Sequence, residues 1–208
     1  MKVLLINGSP RVDGCTARAL EEVIKVLNEE GIDTELVNIG NKPIRSCIAC
    51  GGCRQKGICV FDDDLLVSVA KKFEEADGLI VGSPVYYASP NGAIISLLDR
   101  LFHGTSFPKH MKVGASIVSA RRAGNSASFD VLNKYFSISG MPIASSTYWN
   151  NVHGYTREDV EKDLEGLQTM RNLARNVAFL IKAIHEEKNK NGLPNQERTY
   201  YTSFPDGK

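Results

Sequence analysis

The chain has 208 residues and sets 25 basic against 24 acidic side chains, a formal charge of +1. Such balance argues against a surface that wraps nucleic acid or docks on a polyanion. Its length suits one domain that buries roughly 70% of its unfolded surface, so the five cysteines are not needed as disulfide staples.

In chain order, "KVLLIN" (2–7) reads as a buried strand. The same apolar run is too short for a signal-peptide core, and no run reaches the ~18 apolar residues of a membrane span. The expected home is therefore the reducing cytoplasm, without a membrane partner. The turn "NGSPRVDGCT" (7–16) leads into a helix at 16–31 with apolar positions three and four apart. A strand is expected at 33–39, then a cysteine-rich loop at 45–61, then a helix at 62–77 with acidic residues at its positive end. There follow a strand at 78–83, a helix at 91–104, a strand at 112–119, a helix at 126–140, a strand at 142–149 and a long amphipathic helix from about 156 to 187. The polar tail 188–208, with Tyr200, Tyr201 and Phe204, is either a frayed end or an arm that packs its aromatics on a partner subunit. Strands alternating with helices, each strand apolar on both faces, mean a doubly wound α/β single domain with a five-stranded parallel sheet.

The turn after the first strand lies where such sheets bind ligands. A helix N-terminus there offers unpaired N–H groups to an anion. Ser9 and Thr16 add hydroxyls, Arg11 a guanidinium fork, and Gly8 and Gly14 allow close backbone approach. The spacing from Gly8 to Gly14 is one residue too long for a P-loop, no lysine follows Gly14, and no G-x-G-x-x-G is present. An ordinary turn that binds nothing stays open on these residues alone.

"NGSPR" with Gly14 and Thr16 after the first strand, joined to "GSPVYYASPNGAIISLLDR" (82–100) after the third, resembles the flavodoxin-like NAD(P)H-dependent FMN reductase superfamily. With the cysteine stretch the resemblance is to its iron–sulfur flavoprotein branch, over residues 1 to about 185. The resemblance implies strand order 2-1-3-4-5, an FMN-binding domain at 1–187, and FMN as cofactor with NAD(P)H as co-substrate. It places the FMN phosphate on Ser9, Arg11, Gly14, Cys15 and Thr16, with Cys15 where many relatives carry asparagine. The isoalloxazine ring falls to Pro84, Val85, Tyr86, Tyr87 and Asn91, through stacking and backbone N–H groups. A third loop, Ser119, Ala120, Arg121, Arg122 and Gly124, runs along the flavin. Its arginines either meet nicotinamide-nucleotide phosphates, stabilise reduced flavin, or are plain solvated surface. The expected function is an FMN-dependent oxidoreductase that draws electrons from NAD(P)H for an unidentified small-molecule or protein acceptor, as a homodimer or homotetramer. No general acid or base stands out. The alternative is a flavodoxin-like electron carrier, which the lack of net negative charge disfavours.

Cys47, Cys50, Cys53 and Cys59 are spaced C-x2-C-x2-C-x5-C. Structural zinc sites use two C-x2-C pairs set further apart, whereas a compact triple is typical of iron–sulfur ligation. A [4Fe–4S] cluster is the favoured reading. A cluster-free loop that covers the flavin or a subunit interface, and zinc, remain open. Cys15 stands outside the set as a free thiol.

Overall fold

Every second residue of the first strand faces the same helices, and this alternation builds the molecule. The computed structural model describes residues 1–62, 64–200 and 202. In strand β1 (Lys2–Asn7), Val3 and Leu5 pack on helices α1 (Cys15–Glu29) and α7 (Leu164–Asn191), while Leu4 and Ile6 pack on α3 (Leu66–Glu75) and α4 (Gly92–His103). Strands β2 (Asp33–Asn38), β3 (Gly78–Tyr86), β5 (Val113–Ala120) and β6 (Asn151–His153) complete a parallel sheet in the order β2-β1-β3-β5-β6. This is the expected order 2-1-3-4-5, and α5 (Asn125–Ile138) shares the face of α3 and α4 through Leu132 and Phe136. On the opposite face buried Glu22 of α1 takes Arg18 at 3.0 Å and Arg171 at 2.6 Å, fixing α1 against α7. Burial works against the Glu22 charge, but the two guanidinium groups outweigh it and hold the carboxyl below its usual range.

Four expectations are corrected. The fifth strand does not run through 142–149. Gly114 bridges Ile143 alone, the chain detours over the mostly exposed 145–149, and pairing resumes at β6. Inside the detour Asn150 Nδ2 donates to the Ser116 carbonyl at 3.0 Å, so a side chain replaces the missing ladder bond. The helix from 156 is broken into α6 (Arg157–Val160) and α7, because Thr156 and Asp159 form a capping box and Asp163 then caps afresh by accepting from Gly166 N–H at 2.9 Å. The helix from 62 begins only at Leu66: Asp64 accepts from Leu66 N–H at 2.9 Å and pairs with Arg100, while Asp63 lies outside the described residues. Finally β3 runs past residue 83 and turns back as a hairpin onto β4 (Ser89–Pro90), and a short helix, α2 (Cys53–Lys56), forms inside the cysteine loop. Of the tail, 192–200 has no regular structure, and Tyr201 and Phe204 lie outside the described residues. No helix among the described residues is long and apolar enough to cross a membrane.

Candidate functional site

The turns after β1, β3 and β5 meet at the carboxyl edge of the sheet. Gly8 N–H donates to the Gly82 carbonyl at 2.7 Å, and a Cβ on Gly8 would stand 2.7 Å from that oxygen and 2.9 Å from Ile94. Asn91, at the start of α4, reaches back with Nδ2 to the Gly8 carbonyl at 2.7 Å, while its Oδ1 caps the helix by accepting from Ala93 N–H at 3.2 Å. Asn91, expected beside the flavin ring, ties the second turn to the first through its side chain. The third loop closes on the second, for Gly124 (φ +91) lies so near Ala88 that a Cβ would come within 2.8 Å of its Cα.

The first turn is arranged by buried polar contacts. Asn7 Oδ1 accepts from Ser9 N–H at 3.1 Å, its Nδ2 donates to Asn38 Oδ1 at 2.8 Å, and Ser9 Oγ accepts from Arg11 N–H at 3.1 Å. The Ser9 hydroxyl proton is left for another acceptor. Gly14 begins α1 without any side-chain cap, so the first N–H groups of a 15-residue helix face the turn. Arg11 is exposed and makes no salt bridge among the described residues. Three expected contributors turn inward. The Thr16 and Ser119 hydroxyls, both buried, meet at 2.8 Å, and Cys15 Sγ donates to the Gly154 and Thr156 carbonyls at 3.4 and 3.2 Å. Burial pushes the Cys15 thiol up, which keeps it a thiol donor.

The second turn presents aromatics. Pro84 and Val85 are half-buried, Tyr86 is 46% exposed and Tyr87 fully exposed. Tyr87 (φ 50) and Ala88 (φ 57) are both left-handed, as a two-residue hairpin turn demands, yet neither is the Gly or Asn that usually supplies it. Strain of this kind persists where the surroundings enforce it, commonly at ligand sites. In the third loop Ala120 is buried, Arg121 and Arg122 are exposed, and neither arginine has an ion-pair partner among the described residues. At its end the Asn125 Oδ1 is buried without a hydrogen-bond donor among the described residues. An uncapped helix start, an unengaged guanidinium, a spare hydroxyl proton and an orphaned acceptor along one edge fit a phosphorylated, hydrogen-bonding planar cofactor.

A fourth loop escaped the sequence reading. After β6, Tyr155 is exposed and, with Arg11, Asp13 and Gly14, lines a small cavity of about 210 Å³ beside the first turn. His153 Nε2 lies 3.4 Å from Asn125 Nδ2. The signal was "HGYT" (153–156), hidden because the expected strand ends at 149.

The cysteine loop forms a second centre. Cys47, Cys50, Cys53 and Cys59 all line one cavity of about 250 Å³, together with Arg100 and His103 of α4. Left-handed Ala49, Gly51 and Gly57 wrap the backbone around it, and a Cβ on Gly52 would meet Val60 at 2.7 Å. No three His, Cys, Asp or Glu side chains among the described residues stand close enough together to hold a metal ion. A cubane asks for separated corners around a shared space, and four thiols around one cavity suit it. A larger cavity of about 850 Å³ adjoins, sharing Cys47 and His103 and walled by Phe102, Phe107 and Tyr135.

Comparison with known proteins gives the family and the fold. The family described as NADPH-dependent FMN reductase matches residues 1–156. An iron–sulfur flavoprotein of Methanocaldococcus jannaschii is 33% identical over 88% of this chain and 99% of its own length. Among solved structures, RosB with a bound flavin-phosphate intermediate superposes with a TM-score of 0.74 at 15% identity, over 100% of this chain and 93% of its own. A WrbA-like flavodoxin of Agrobacterium tumefaciens gives 0.60 at 16% identity, over 88% and 97%. These two likenesses bear on the fold alone, which is flavodoxin-like. The chain belongs to the NADPH-dependent FMN reductase family, in its iron–sulfur flavoprotein branch, and is an FMN-dependent NAD(P)H oxidoreductase.

Proposed function

We propose that this oxidoreductase draws electrons from NAD(P)H at the flavin edge and delivers them by way of a [4Fe–4S] cluster on Cys47, Cys50, Cys53 and Cys59. The final acceptor is a small molecule or a protein. The observation that carries the reading is the gathering of all four cysteines on one cavity at the far end of α4 from the sheet edge where the turns meet. FMN, when bound, supplies the hydride-to-electron chemistry, and the protein supplies binding, orientation and electrostatics.

In this reading Ser9, Arg11 and the first N–H groups of α1 bind the phosphate, with Gly14 giving the backbone access. Thr16 and Ser119 brace the turn through their mutual bond, and Cys15 fixes it to the fourth loop. Pro84, Val85, Tyr86 and Tyr87 present the ring-binding surface. Ala120 and Gly124 shape the third loop, from which Arg121 and Arg122 meet the phosphates of the incoming nicotinamide nucleotide.

Residues 1–187 act as the FMN domain and the tail from 188 as an arm of a homodimer or homotetramer in the cytoplasm. A spacing supports the oligomer. Asn91 at the flavin edge and Arg100 at the cysteine cavity stand nine residues apart on α4, roughly 14 Å along its axis. A cysteine loop brought from a second copy shortens that path.

The test is the absorption spectrum of protein purified without air, followed by titration with NADPH. Flavin and cluster bands that bleach together on NADPH addition support the reading. Flavin that needs an external reductase points to the carrier alternative, and an absent cluster band under these conditions defeats the cysteine assignment.

A further inference from the structure

Arg100 is the largest side chain in the core, 2% exposed on the buried side of α4 among Leu97, Leu98 and Leu101. A guanidinium in such a place needs partners for its donors; four of the five N–H groups find one among the described residues, and each of these partners belongs to the cysteine loop or its exit. Nε donates to Cys59 Sγ at 3.4 Å. One terminal nitrogen donates to the Arg45 carbonyl at 3.0 Å and pairs with Asp64, and the other donates to the Phe61 carbonyl at 3.0 Å. Arg45 and Phe61 are the two ends of the loop, and their side chains stack at 4.6 Å. Asp64 in turn accepts from Arg45 N–H at 3.2 Å. One cation thus closes the loop, holds one of its thiols and, among the described residues, pairs with the single acidic side chain of Asp64.

We propose that Arg100 is a positioning residue for the [4Fe–4S] cluster, clamping the loop closed and raising the cluster's reduction potential through its N–H bond to Cys59 Sγ. The inference rests on the cluster reading above. Reduction adds one electron, taken from reduced flavin, and no bond at Cys59 is made or broken. The added negative charge spreads over the cysteine sulfurs, so a cationic donor on one of them favours the reduced state. Asp64, on another arm of the same guanidinium, offsets part of that field.

The two residues therefore act with opposite sign, which bracing alone does not do. In Arg100→Lys the charge stays, but one ammonium cannot serve Cys59, Asp64 and both carbonyls at once. In Asp64→Asn the Oδ1 acceptor for Leu66 N–H is kept and the Arg100–Cys59 bond is left with its full charge.

The experiment is anaerobic reconstitution of the full chain with ferrous iron and sulfide, measurement of bound iron, and a redox titration followed by electron paramagnetic resonance. Arg100→Lys is expected to move the one-electron equilibrium about tenfold toward the oxidised cluster, which is 59 mV for such a couple. Asp64→Asn is expected to move it toward the reduced cluster. Should Arg100→Lys load no iron, the sign of the Asp64→Asn shift still decides. Fully loaded variants that shift together, or an Asp64→Asn shift toward the oxidised form, overturn the role of Arg100 and leave the cluster standing. Wild-type protein that assembles no cluster overturns both.

Discussion

Replacing Asn91 by alanine separates two jobs that one side chain performs at the flavin edge. Its Oδ1 caps α4, and losing such a cap costs about 1 kcal/mol. Its Nδ2 bond to the Gly8 carbonyl, at 2.7 Å, adds about 1 kcal/mol more. The sum is about 2 kcal/mol, a fall in Tm of roughly 4–8 °C for a chain of this size. Because only the second bond joins the phosphate turn to the ring-binding turn, FMN affinity should drop by about tenfold when it is lost.

Asn91→Ser supplies the control. Serine caps a helix nearly as well as asparagine but is too short to reach Gly8. It should recover about half of the lost stability, roughly 1 kcal/mol, while binding FMN as weakly as the alanine variant. The assays are thermal unfolding of flavin-stripped protein, so that ligand linkage does not enter, and quenching of FMN fluorescence on titration. Equal FMN affinity in the wild type and Asn91→Ser would refute the tie between the turns. An unchanged Tm in Asn91→Ala would refute the cap.

Arg11→Ala removes a charged donor from the phosphate turn and should weaken FMN binding about tenfold or more, a loss of ~1.5–3 kcal/mol; calorimetric titration with FMN against riboflavin checks it, since riboflavin lacks the phosphate and should bind both proteins equally. Ala88→Gly relieves a left-handed alanine and should stabilise the flavin-free protein by about 0.5–1 kcal/mol, read from the urea midpoint; destabilisation would mean that the turn is not strained. Lys109 donates to the Thr105 and Phe107 carbonyls from a buried position, and burial holds its ammonium down at about 8 against the ordinary 10.5. Between those values the unfolded chain binds more protons than the folded one, so this group makes stability rise with pH through that window, by up to about 1.4 kcal/mol per pH unit. Lys109→Met should remove that slope, and superimposable pH profiles of the two proteins would contradict it.

What could be read from the sequence follows from what the pattern encodes. Strands β1 and β3 and helices α1, α4 and α5 were legible because burial on one or both faces writes itself as apolar spacing. The edge strand was misplaced because its hydrogen bonds near Ser116 are made by the Asn150 side chain rather than by a regular ladder, and hydropathy carries no trace of that exchange. The break before α7 was signalled by Thr156, Asp159 and Asp163 at cap spacing, yet the amphipathic period runs across it and masks it. The β3–β4 hairpin was invisible for a stronger reason. Its turn uses Tyr87 and Ala88 in a conformation that turn chemistry assigns to other residues, so the local rule fails at the turn proposed to bind the ring. Among candidate site residues, types and spacing singled out the cysteines and the first turn, but not which side chains turn inward. Thr16 and Asn91 are the right residue types for a ligand, and the fold commits both to itself.

Arg100 shows the same limit from the other side. In "AIISLLDRLFHG" a lone arginine looks like solvated surface, but Leu97, Leu98 and Leu101 place it on the buried face. A charge on an apolar stripe is costly unless every donor is met, and such a residue marks a spot where something polar must arrive. Here the loop from Arg45 to Phe61 arrives. Asn91 near one end of α4 and Arg100 near the other thus do related work: each spends its side chain on a neighbouring loop rather than on solvent. The helix between them is a rod that sets the flavin turns and the cysteine loop at a defined separation. A change in its length, more than any change of surface charge, should uncouple the two centres.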